Sequence, residues 1–120
     1  MDYSKMSDAE INAMVMDAIS DGNQAYSISE GPEIKLLRQI NTVEFGEHIE
    51  REEVYATFDP CNNPANAWPI IVENGIGIIP YTKGLCEAWN VSRGLIEGTT
   101  KDKNPLRAAM IVYLMMQEAK

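Results

Sequence analysis

Apolar positions near the start of the chain recur every three or four places: Ile11, Met14, Val15, Ala18 and Ile19. That spacing predicts a helix with one buried face. Ser7-Asp8-Ala9-Glu10 in front of it has the form of a capping box, with Ser7 as N-cap and Glu10 at the third helical position. Asp21-Gly22-Asn23 supplies a stop, so the helix should cover roughly residues 8–20. The pattern then changes. Tyr26-Ser27-Ile28 precedes a Gly31-Pro32 turn signal, and Ile34 to Ile40 follows it with a periodicity that leaves short helix and strand both open. Glu53-Val54-Tyr55-Ala56-Thr57-Phe58 reads as a strand because it is rich in aromatic and β-branched residues, and Asp59-Pro60 closes it. The polar stretch between them, residues 42–52, reads as an exposed connection and one of the most mobile parts of the chain.

Two Asn-Pro pairs announce the remaining helices. In Asn63-Pro64-Ala65-Asn66-Ala67 and Asn104-Pro105-Leu106-Arg107-Ala108, the Asn is a preferred N-cap and the proline suits the first helical position, where a missing N–H costs nothing. The first pair leads into Ala67, Trp68, Ile70, Ile71 and Val72 and stops at Asn74-Gly75, with Pro69 tightening or bending its first turn. Ile76 to Tyr81 then predicts a strand, Thr82-Lys83-Gly84 a turn and Leu85 to Trp89 a returning strand. Val91 to Thr99 predicts a third strand broken by glycines. The second pair opens the strongest helix, Pro105 to Met116, which is apolar nearly all round. It needs burial on most of its circumference, against the sheet and another helix or across a subunit interface. The expected architecture is α+β over a single compact domain, residues 1–120. It comprises an N-terminal helix, a small antiparallel sheet, a central helix and a long buried C-terminal helix.

Composition narrows the setting. With 120 residues, 45% hydrophobic and 23% charged, the chain has the profile of one globular domain. No apolar run approaches membrane-spanning length, and Met1-Asp2-Tyr3-Ser4-Lys5 lacks the layout of a signal peptide, so a cytoplasmic protein is expected. Cys61 and Cys86 lie 25 positions apart without a CxxC partner, which argues for small core residues and against a zinc site. Net charge is −8, unevenly spread: residues 1–82 hold fourteen acids and four bases, whereas residues 83–120 hold four acids and six bases. Such an acidic protein should not bind nucleic acid indiscriminately.

Catalysis finds little support in these residues. His48, the sole histidine, sits in the acidic connection without a rigid frame, and Gly75-Ile76-Gly77 follows a helix instead of joining a strand to one. Asp59 beside Cys61 is a turn signal first. The expectation is therefore a non-enzymatic protein without metal or cofactor. One candidate activity is capture of a small anionic, nucleotide-like host signal. Lys101, Lys103 and Arg107 surround Asn104 at a helix start whose free N–H groups favour anions, and lysines there oppose the helix dipole unless an anion offsets them. Trp89, Trp68 or Tyr81 would offer a stacking face, and Asn63 marks the second helix start. The ordinary reading is that such lysines are solvated and such tryptophans are core. Carboxylates of the protein itself filling that entrance would remove the ground for capture. The alternative is engagement of a host protein through the acidic surface around Glu44, Glu47, Glu50, Glu52 and Glu53. The apolar last helix and seven methionines also suggest a homodimer or higher oligomer.

Three segments are also familiar as words. Phe58 through Asn74 (FDPCNNPANAWPIIVEN), Asn104 through Met116 (NPLRAAMIVYLMM) and the opening Asp2-Tyr3-Ser4-Lys5-Met6-Ser7-Asp8 resemble the NinX-like family of lambdoid phage and prophage proteins. Residues 24–52 carry little of the likeness. The resemblance implies a small phage accessory protein made in a bacterial cytoplasm, and it carries over no catalytic residue.

Overall fold

The capping box forms as its residue types prescribe. The Glu10 backbone N–H donates to Ser7 Oγ at 3.1 Å, and Glu10 Oε1 accepts from the Ser7 backbone N–H at 3.5 Å. Helix α1 runs Asp8–Ser20 and ends at Asp21, which takes the left-handed conformation at φ 55°. The computed structural model describes residues 2–80, 85–90 and 99–118. A short 3-10 turn, Tyr3–Lys5, precedes α1 and buries Tyr3.

Two antiparallel three-stranded sheets follow, where the sequence suggested one small sheet. The first has order β1-β2-β3, from Tyr26–Ile28, Ile34–Glu44 and Glu47–Phe58. Residues 42–52 are thus paired strand and not the expected loose connection. The reason lies at Phe45-Gly46, whose φ values of 51° and 79° make the two-residue reversal that matches strand twist. Val43 then pairs with His48 and Glu44 with Glu47. Pairing with β1 stops at Leu36, so beyond Leu37 the β2–β3 ribbon leaves the body as an arm. Seven further residues of β2 give it a reach of roughly 24 Å. Its presence shows in the molecular extents of 62 × 30 × 25 Å.

The arm begins at a bulge. Leu36 opposes Ala56 and Leu37 opposes Val54, leaving Tyr55 as the extra residue. Tyr55 is fixed there by donating to Gln24 Oε1 at 2.6 Å, while Gln24 Nε2 donates to the Leu37 carbonyl at 2.9 Å. The body thereby grips the base of the arm.

Helix α2 is Pro64–Asn74, capped by Asn63 at one end and by Gly75 with φ 64° at the other. The second sheet has order β4-β5-β6, from Ile76–Pro80, Cys86–Asn90 and Thr99–Asp102. The turn expected at residues 82–84, Tyr81, and most of the glycine-broken third strand lie outside the described residues. Helix α3, Pro105–Glu118, packs against β4, β5 and β6 and against both other helices. Every residue from Arg107 to Leu114 is buried, so the helix meets its need for cover within its own chain. One hydrophobic cluster links Tyr3, Ile11, Val15, Ile34, Phe58, Ile71, Ala88 and Met110. It stops at the foot of the arm.

Candidate functional site

The start of α3 is built from groups that satisfy one another. Asn104 Oδ1 accepts from the backbone N–H groups of Leu106 at 3.0 Å and Arg107 at 3.3 Å, and its Nδ2 donates to the Cys61 carbonyl at 2.6 Å. The Arg107 guanidinium, only 9% exposed, turns back from solvent. It donates through Nη1 to Asp8 Oδ1 at 2.7 Å and through Nε to Asp102 Oδ2 at 3.1 Å. Nη2 meets the carbonyls of Tyr3 at 3.1 Å and Met6 at 2.8 Å. A buried guanidinium with two carboxylates and two carbonyls has its charge offset and four of its five N–H donors used. The anion anticipated at this entrance finds its place occupied by the protein's own acids.

The other residues read from the sequence as a ligand site lie on β5, on β6 and its link to α3, and on α2 and its N-cap. Lys101 and Lys103 are exposed. Lys101 lines a cavity of about 420 Å³ whose wall also holds Asp2, Asp102 and Glu118, so carboxylates outnumber the lysine. Asn63 caps α2, accepting from the Ala65 N–H at 3.0 Å. Trp68 lies on α2 as well, and at 63% exposed it departs from the core position ordinary for tryptophan. Trp89 sits in β5 opposite Gly77, where a Cβ would come within 2.6 Å of the indole. Glycine is what lets the ring lie flat on that strand.

Neither cysteine forms a disulfide, and both are buried. Burial pushes the Cys61 thiol well above its ordinary range, and the nearby Asp8 carboxylate adds to the shift. The thiol is therefore held neutral and unreactive. Its neighbour Asp59 instead accepts from Asn12 Nδ2 at 2.7 Å. His48 is exposed on the arm.

A residue absent from the sequence-based candidates stands out at the tip of the arm. Phe45 is fully exposed, at 105% of its reference area, and Val43 beside it is 71% exposed. Phe45 also holds a positive φ of 51°, a conformation that favours Gly, Asn or Asp and disfavours a large side chain. Around this apolar tip run Glu44, Glu47, Glu50 and Glu52, all exposed. A signal for it existed in Phe45-Gly46 flanked by β-branched Thr42, Val43 and Ile49. It is weak, because the commonest hairpin turns carry Asn or Asp before the glycine.

Comparison with known proteins decides the setting. A family model described as Bacteriophage P22, NinX matches residues 2–117. The chain belongs to this family. The NinX match spans the arm as well as the body, including residues 24–52, and makes the chain a phage accessory protein. No curated protein and no solved structure matches it. Among the described residues, no helix is long and apolar enough to cross a membrane.

Proposed function

We propose that this NinX-family protein acts without catalysis, in the cytoplasm of an infected bacterium, by binding and neutralising a host protein through its β2–β3 arm. The observation that carries this reading is Phe45: a fully exposed aromatic at the far end of a projecting ribbon, held in a backbone conformation that a smaller residue would occupy at lower cost. Exposed aromatics with strained backbone are features of binding sites, where they serve as anchors that enter a pocket on the partner. The surrounding glutamates fit a partner with a basic rim, and their field speeds encounter more than it deepens affinity. Capture of a nucleotide-like anion at α3 is the weaker reading, because Arg107 is already paired with Asp8 and Asp102.

The test places a photo-activatable phenylalanine analogue at position 45 and, as a control, at exposed Ile28 in the body. Both proteins are irradiated in phage-infected cells. The proposal expects a discrete adduct from position 45 alone, reduced when Glu50 and Glu52 are changed to Gln. Equal adducts from both positions, or none from 45, would overturn it.

A further inference from the structure

We infer that the arm carries a second, self-complementary surface, and that two copies of this chain associate through it in antiparallel fashion. The inference concerns the face of the ribbon that continues the core side of β2, and it shares Glu44 and Glu47, but not Phe45, Glu50 or Glu52, with the reading given above. Successive rows on that face are Arg38 with Glu53, Ile40 with Arg51, Thr42 with Ile49, and Glu44 with Glu47. Ile40, Thr42 and Ile49 are only partly exposed, while the charged residues Arg51, Glu44 and Glu47 are exposed around them.

Three features of this face are unmet within one copy. Glu44 and Glu47 stand directly opposite each other across the strands, a like-charge pair that weakens the ribbon beside its turn. Arg51 makes no side-chain ion pair or hydrogen bond among the described residues, because the nearby Glu53 is taken by Arg38 Nε at 2.7 Å. Thr42 Oγ1 is buried on the ribbon without a hydrogen-bond partner among the described residues.

A two-fold axis through the Thr42–Ile49 row answers all of them. Face-to-face antiparallel packing lays the Glu44–Glu47 row of each copy over the Ile40–Arg51 row of the other, which brings Glu47 to the partner copy's Arg51 twice. Ile49 meets its own symmetry mate, as an isologous contact requires. A turn about χ1 lets each Thr42 hydroxyl donate to or accept from the other. Since the surface involves about eight side chains, far fewer than in a standard interface, the association is weak and concentration-dependent.

Sedimentation velocity over a concentration series up to the millimolar range tests this with the full chain and no added partner. The wild type should show a reversible monomer–dimer equilibrium. R51E and E47R should each weaken association about tenfold or more, since each sets like charges face to face. E47R also relieves the Glu44–Glu47 repulsion within the arm, so its loss of association cannot come from unfolding. Mixing R51E with E47R should restore a dimer that contains one of each. A wild type that stays monomeric throughout, reversal variants that associate like wild type, or a mixture without heterodimer would overturn the inference. A position 45 adduct with a second copy of this chain belongs to this inference and one with a host protein to the reading of Phe45, so the two readings fail separately.

Discussion

Arg107 Nη1 lies 2.7 Å from Asp8 Oδ1, tying the first turn of α3 to the first residue of α1. Asp102, just before α3, holds the same guanidinium through Nε at 3.1 Å. The pairing explains why an arginine sits at a helix start, where the dipole disfavours it: two carboxylates and two carbonyls more than offset the repulsion. Removing Arg107 leaves both acids partly buried and unpaired. R107M should therefore cost about 3–5 kcal/mol of stability. Urea unfolding followed by tryptophan fluorescence measures it, and an unchanged midpoint would show that Arg107 is free for some other task.

Asn12 performs a related service in the middle of α1. It is fully buried, donating to the Pro32 carbonyl at 2.9 Å and to Asp59 Oδ1 at 2.7 Å, and its Oδ1 accepts from the Cys61 N–H at 3.2 Å. It thereby fastens both flanks of the first sheet to α1. N12L fits by size but strands the Pro32 carbonyl and the Cys61 N–H, while Asp59 keeps Asn62, so a loss of about 3 kcal/mol is expected in the same urea assay. N12D should be no milder, because it places a second carboxylate against Asp59.

The tip of the arm should show the opposite sign. Phe45 occupies a positive φ that asparagine tolerates better, so F45N should stabilise the hairpin by about 0.5–1 kcal/mol. Thermal melting checks the gain. Co-purification of whatever position 45 cross-links to should fall together with it, since a residue kept against its backbone preference is kept for its side chain.

Tyr3 gives the fold a dependence on alkaline pH. Its hydroxyl donates to Glu118, and burial first, then that carboxylate, push its pKa up to about 12. In the unfolded chain the group titrates near its ordinary value of about 10. The native state thus keeps a proton that the unfolded state releases. The stabilisation is complete below about pH 10 and is lost as pH rises through about 12. Y3F should be less stable than wild type near neutrality and should lose less stability across that window. Parallel curves for the two proteins would contradict the assignment.

Much of the body was legible because its signals are local. Ser7 with Glu10, Asn63 with Pro64 and Asn104 with Pro105 each satisfy helix-end groups within a few residues, and the structure places α1, α2 and α3 on them. The arm was not legible, because it rests on cross-strand pairing whose span widens from three positions at Glu44 with Glu47 to fifteen at Arg38 with Glu53. Its polar alternation looks like loop when one strand is read alone. The cationic charge of Arg107 at the start of α3 opposes the helix dipole, and a carboxylate that offsets it, Asp8, lies almost a hundred positions away. Spacing along the chain carries no trace of such a partner. Phe45 was missed for a simpler reason: exposure cannot be read from an aromatic's identity.

Shortening the arm tests the whole account most directly. Replacing residues 38–53 with Asn-Gly joins Leu37 to Val54, the pair at which the arm leaves the body. Because the core cluster ends below that point, the shortened protein should fold, with a melting temperature within a few degrees of wild type, and should recover none of the protein that cross-links at position 45. A shortened chain that still binds that protein as wild type does, or that no longer folds, would contradict the assignment of stability to the body and function to the arm.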